Sequence, residues 1–146
     1  VEIYTIGFTQ KTAGEFFGQL KSAGIKRVLD VRLNNTSQLA RFTKREDLPF
    51  FLSEICGAEY LHEPQLAPTQ EILDAFKKEK GGWEDYERSF LELLQEREVE
   101  KVIPPCLFEV PTALLCSELR PDNCHRRLAA EYLRQKWGGE IQIIHL

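Results

Sequence analysis

Residues 112–127 constrain the fold most: Thr-Ala-Leu-Leu-Cys-Ser-Glu-Leu-Arg-Pro-Asp-Asn-Cys-His-Arg-Arg. The apolar run ending at Cys116 is too short for a stable helix and reads as a buried strand. Pro121 and Asp122 mark a turn. Cys124, Leu128 and Tyr132 then follow at four-residue spacing, as on the inner face of a helix. The stretch is therefore strand, short loop and helix N-terminus. In open parallel sheets, ligands bind where strands end and the next helices begin. Two thiols, an imidazole, a carboxylate and guanidinium groups fall at that joint.

The remaining chain supplies partners for this unit. Residues 2–6 alternate and favour β structure, predicting a first strand that ends at Gly7. Thr12 and Glu15 have capping-box spacing before a helix that buries Phe16, Phe17, Leu20 and Ala23 and closes at Gly24. Residues 27–31 predict a second strand. So compact a strand–helix–strand unit predicts a parallel pair with a right-handed crossover. Residues 34–43 are polar and aperiodic, a loop at a strand's carboxyl end. A helix is expected over residues 44–56, with Pro49 in its first turn or marking its true start, then a short strand at 58–61. Further helices are expected over 69–80 and 83–98, separated by Gly81-Gly82, with Trp83, Tyr86 and Phe90 on a packing face. A helix over 123–137 and a strand over 140–146 complete the chain.

This pattern predicts one α/β domain over residues 1–146. Its form is a three-layer sandwich, with a mostly parallel, five-stranded, Rossmann-like sheet and helices on both faces. The expected order sets the second and fourth strands on either side of the first. That order brings Gly7 and Thr9, Asp30 and Arg32, and Cys116 and Glu118 to one edge.

Charge and cysteine content narrow the function. The 146-residue chain has net charge −4, which disfavours a general nucleic-acid coat. Six basic groups against Asp30 alone crowd residues 26–45, while residues 84–100 carry seven acidic groups against two arginines. A mixed solvated surface, or a basic ligand-facing side with an acidic back, both fit. No apolar run reaches membrane-spanning length and the opening residues do not form an export signal. Four unevenly spaced cysteines then point to a reducing, cytoplasmic setting.

With Asp122 or Asn123 as cap, Cys124 and His125 sit in a helix's first turn, where unpaired N–H groups favour a thiolate and an anionic ligand. The candidate catalytic residues are Cys116, Glu118, Cys124 and His125. A buried thiol with a hydrogen-bonded core histidine is equally open. Gly7, Thr9, Asp30, Arg32 and Arg126 are candidate ligand-binding residues. The turn at Gly7 has no G-x-G-x-x-G or P-loop pattern, so no cofactor is assigned. Asp30 and Arg32 either bind ligand or form an internal salt bridge. Glu118 either moves a proton or pairs with arginine, and Arg127, four residues before Glu131, reads equally as a helix pair. Cys116, Cys124 and His125 are competent zinc donors, yet their spacing is not that of a structural zinc site, and no metal is predicted.

Taken together, Thr5-Ile6-Gly7-Phe8-Thr9, Asp30-Val31-Arg32 with Ser37 and Phe42, Cys116-Ser117-Glu118 and Cys124-His125-Arg126 resemble the domain of unknown function 488 family. The likeness covers nearly the whole chain in order. It departs at Asn35-Thr36, where a proline-containing Asp-Val-Arg-x-x-Pro pattern is expected. The resemblance implies a compact α/β domain whose motif residues meet in one pocket, and it supplies no activity. Function then divides three ways. The first is an enzyme on an anionic substrate, phosphate-bearing or nucleotide-like. The second is a non-catalytic nucleic-acid or ligand-binding module using the basic loop 32–45, and the third is a metal-binding protein. Nothing in the sequence sets the oligomeric state.

Overall fold

The computed structural model describes residues 1–77, 82–118 and 120–146. Five strands, β1 (Glu2–Gly7), β2 (Arg27–Asp30), β3 (Glu59–His62), β4 (Thr112–Cys116) and β5 (Gln142–His145), form one parallel sheet in the order β3-β2-β4-β1-β5. The helices are α1 (Ala13–Ser22), α2 (Leu48–Phe51), α3 (Gln70–Lys77), α4 (Trp83–Arg97), α5 (Val99–Val102) and α6 (His125–Trp137). Together they make the expected three-layer α/β sandwich.

The strand order corrects the sequence expectation. β1 and β2 are parallel but not adjacent, because β4 lies between them and β5 takes the far side of β1. The reason is visible in the side chains. Every residue of β4 is buried, as a strand covered on both faces and flanked on both edges requires, whereas β1 begins exposed at Glu2. The convergence at one edge survives the change. In register, Gly7 lies opposite Cys116 and Asp30 opposite Leu115, so the ends of β1, β4 and β2 stand side by side.

Alternate side chains of β4 enter opposite cores. Leu114 and Cys116 join Ile3, Leu29 and Val31 beneath α4, α5 and α6, where Phe90, Leu94, Leu128 and Leu133 are buried. Ala113 and Leu115 face Phe16, Phe17 and Leu20 of α1, with Leu48 and Leu52. The α1 start is capped as read: Thr12 Oγ1 accepts from the Glu15 N–H and Glu15 Oε1 accepts from the Thr12 N–H.

Elsewhere the boundaries shift for local reasons. The helix expected from residue 44 starts at Leu48, because Pro49, lacking an N–H, fits only in the first turn. It widens over Leu52–Cys56 and stops at Gly57, whose φ of 61° glycine tolerates best. A short 3₁₀ segment at Gln38–Thr43 replaces part of the expected loop. Glu98, at φ 50°, ends α4 and separates it from the unanticipated α5. The helix expected over 69–80 starts at Gln70, and its expected carboxyl end, residues 78–80, lies with Gly81 outside the described residues. Among the described residues no helix is long and apolar enough to cross a membrane.

Leu114 is fully buried at the sheet centre. Leu114→Ala is expected to lower unfolding free energy by about 2–5 kcal/mol, measured by urea denaturation, since a central strand cannot collapse onto the cavity.

Candidate functional site

The site grows from the junction of β4 and α6. Cys116 is the last residue of β4 and His125 the first of α6, and both are buried. Cys124 itself is the helix N-cap, in extended conformation with no side-chain capping bond, displacing the expected Asp122 or Asn123. Its thiol is thereby free to point inward, where it too is buried.

The three side chains meet. Cys116 Sγ lies 3.5 Å from His125 Nδ1, and His125 Nε2 lies 2.6 Å from the Val31 carbonyl oxygen. A carbonyl only accepts, so Nε2 carries a proton and Nδ1 faces the sulfur as proton acceptor or, once protonated, as donor to a thiolate. Burial pushes the Cys116 thiol up, but hydrogen bonds from Cys124, the His125 charge and ring, and the Glu118 N–H outweigh it and hold it well below the ordinary thiol range. Burial pushes His125 down, while the Cys116 charge, its hydrogen bond and the Val31 carbonyl raise it on balance. Burial and the neighbouring Cys116 drive Cys124 well above the usual value. The surroundings thus favour a thiolate at Cys116 over one at Cys124, with His125 as its proton partner. The two sulfurs and a ring nitrogen of His125 lie within 4.8 Å of one another, so these residues are also the donors that could hold a soft metal ion.

Asp30 and Arg32 form a buried frame beside this cluster. Arg32 donates from its backbone N–H and Nε to Asp30 Oδ1, at 3.1 and 2.8 Å, and from Nη2 to Oδ2 at 2.9 Å. Its Nη1 and Nη2 also donate to the Thr43 hydroxyl and carbonyl. Tyr60 Oη donates to Asp30 Oδ2 at 2.6 Å, and Asn35 Nδ2 donates to the same oxygen at 3.2 Å. Asn35 stands where the family pattern leads one to expect proline. Its amide donor joins the loop to the Asp30 carboxylate. Burial pushes the Asp30 carboxyl up, but Arg32, Tyr60 and Asn35 more than reverse this and keep it below the usual range.

Gly7, Thr9 and Arg126 make a second frame. The Thr9 N–H and Oγ1 both donate to the Ser117 carbonyl, at 3.1 and 2.9 Å. Arg126, fully buried, donates from Nε to Thr5 Oγ1 at 3.3 Å and from Nη1 to the Glu118 carbonyl. A side chain at position 7 would collide with that carbonyl and sit 2.5 Å from Arg126 Nη1, which explains the glycine. These contacts clamp the loop after β4 to the turn after β1. Lys11, beside Arg126, buries its Nζ with no hydrogen-bond partner among the described residues.

A cavity of about 140 Å³ opens onto the cluster. Cys116, Cys124 and His125 form its floor, Leu73, Phe76 and Tyr86 its apolar wall, and Arg32, Asn34, Lys77, Ser117, Glu118 and Asn123 its polar side. Of the sequence candidates, Cys116, Glu118, Cys124, His125 and Arg32 line this cavity. Thr9 lines a shallower hollow across Glu118 and Asn123. Gly7, Asp30 and Arg126 serve the frames behind. Glu118 is exposed at the rim, its carbonyl taken by Arg126. Sequence reasoning missed Asn35, Thr43, Tyr60 and the Val31 carbonyl, whose roles depend on strand neighbours rather than spacing. It assigned Phe76 and Tyr86 to packing, although they also wall the cavity.

The fold and this arrangement define an α/β domain with a buried Cys/His cluster at the strand ends. The family model described as domain of unknown function DUF488 matches residues 12–133, and the chain belongs to that family. No curated protein and no solved structure matches it.

Asp30→Asn would leave the Arg32 guanidinium buried without its counter-charge, and is expected to cost about 3–5 kcal/mol at pH 7. Because the folded carboxyl lies below its unfolded value, the wild-type advantage is present above about pH 4 and shrinks as pH falls through the folded value. Urea titrations of both proteins at pH 7 and pH 3 measure this narrowing.

Proposed function

We propose that this chain is a thiol-dependent enzyme acting on a small anionic substrate, with Cys116 as nucleophile and His125 as its proton partner. The observation that carries the reading is the Cys116 Sγ to His125 Nδ1 contact at 3.5 Å, with the far ring nitrogen tied to Val31. Nucleophile, base and an orienting third group are the parts that thiol catalysis needs. The cavity supplies access, and its volume suits a small substrate.

Several features support an anion. Arg32 and Lys77 line the cavity, and the first turn of α6 presents its N-terminal end. Lys11, whose Nζ has no hydrogen-bond partner among the described residues, lies at the same sheet edge. Glu118, at the rim, is placed to exchange protons with solvent. A cytoplasmic setting would keep both thiols reduced.

The test is alkylation by iodoacetamide at graded pH, read by peptide mass mapping, with metal content measured on protein purified without chelator. Exposed Cys106 provides an internal standard. Between pH 8.5 and 6 the alkylation rate of an ordinary thiol falls about a hundredfold with its thiolate fraction. Cys116 should hold its rate over that range in the wild type and follow Cys106 in His125→Ala. A wild-type Cys116 that follows Cys106 would overturn the reading. So would one zinc per chain, lost in His125→Ala, which would make the three donors metal ligands.

A further inference from the structure

Nucleophilic chemistry at Cys116 leaves one buried group unexplained. Cys124 is a second thiol lining the same cavity, with its sulfur within 4.8 Å of Cys116 Sγ. A packing role alone is served by an apolar side chain, and a substrate nucleophile needs only one sulfur. Two sulfurs this close, one at the end of a strand and one at a helix cap, are within reach of a disulfide after side-chain rotation.

We propose that Cys124 is the resolving thiol of a two-cysteine redox centre, in which hydroperoxides oxidise Cys116 and Cys124 then closes an intramolecular disulfide. This inference rests on the reading of Cys116 as the reactive thiolate. The Cys116 thiolate attacks the terminal oxygen of the hydroperoxide, forming an S–O bond as the O–O bond breaks. The departing alkoxide or hydroxide takes the proton from His125 Nδ1 and leaves as alcohol or water. Cys116 is now a sulfenic acid, oxidised by two electrons, and His125 is neutral. Nδ1 then accepts the Cys124 proton, and the new thiolate attacks Cys116 Sγ. The S–O bond breaks and hydroxide leaves, recovering that proton as water. A small dithiol reductant returns the pair to the reduced state by exchange.

Size and access favour this substrate class. The cavity is large enough to admit a group as small as a hydroperoxide, and both cysteines line it. The third buried thiol, Cys56, lies in the opposite core with its sulfur directed to the Phe17 carbonyl. Cys106 is exposed on a separate 3₁₀ segment (Pro105–Glu109). Neither competes for the sulfenic acid.

The experiment treats the full chain, in a Cys106→Ser background, with hydrogen peroxide at pH 6. Intact mass, peptide mapping and dimedone trapping follow the products. A chain carrying Cys106 gives the reference rate. The expected result is a Cys116–Cys124 disulfide formed with loss of two hydrogen atoms. Its rate should exceed Cys106 oxidation by about tenfold, the gain from a thiolate at Cys116 being partly offset by the weaker nucleophilicity of a low-pKa thiolate. Cys124→Ser should stop at a dimedone-reactive Cys116, and Cys116→Ser should lose the fast reaction. Near-ultraviolet circular dichroism confirms that each variant is folded. If Cys116 oxidises fast but proceeds to sulfinic acid without pairing, the resolving role of Cys124 is overturned and the Cys116–His125 reading stands. If Cys116 oxidises no faster than Cys106, both are overturned.

Discussion

The hydrogen bond from His125 Nε2 to the Val31 carbonyl is the contact on which the site depends. It spans helix α6 and the end of β2, two elements separated by most of the chain. A backbone carbonyl can only accept, so this bond fixes which ring nitrogen carries a proton and aims the other at Cys116. The buried cluster would otherwise hold a histidine free to take either tautomer. Val31 is itself held in place, because its N–H donates to the Leu115 carbonyl of β4 at 3.1 Å. Sheet, helix and thiol thus form one closed loop of contacts.

The sheet order makes that loop possible. With β4 between β1 and β2, Cys116 emerges between two strand ends that each carry a frame. On one side Asp30 and Arg32 anchor the chain leaving β2; on the other, Gly7, Thr9 and Arg126 anchor the chain leaving β4. The Asp30–Arg32 ion pair and the Arg126 side chain are buried and hydrogen-bonded within the fold, which gives rigidity rather than reach. Two arginines that resemble ligand forks in the sequence are therefore drawn inward. Arg32 retains a place on the cavity wall, while Arg126 works entirely behind it.

Much of this was legible in the sequence where local chemistry decides. Thr12 and Glu15 specified a cap, Pro49 and Gly57 bounded a helix, and the apolar run into Cys116 specified a buried strand. The meeting of Cys116, Cys124 and His125 was legible too, because a strand end and a helix start eight residues apart must lie close. Strand order was not, since alternation and composition say little about which parallel neighbour a strand takes. It became readable only in retrospect, from the burial of all five residues of β4. Asn35 and Tyr60 were illegible for a similar reason: each acquires its role from Asp30, on a different strand or loop.

The central claim is that a proton resides on His125 rather than on Cys116. The most direct measurement is the nitrogen-15 resonance pair of the His125 ring, followed in the intact, reduced chain from pH 5 to 9. An imidazolium with both nitrogens protonated should persist well above the ordinary histidine value of about 6.5. Its loss should coincide with protonation changes sensed at the Cys116 β-carbon. A ring that is protonated only on Nε2 already at pH 6, beside a neutral thiol, would contradict the account.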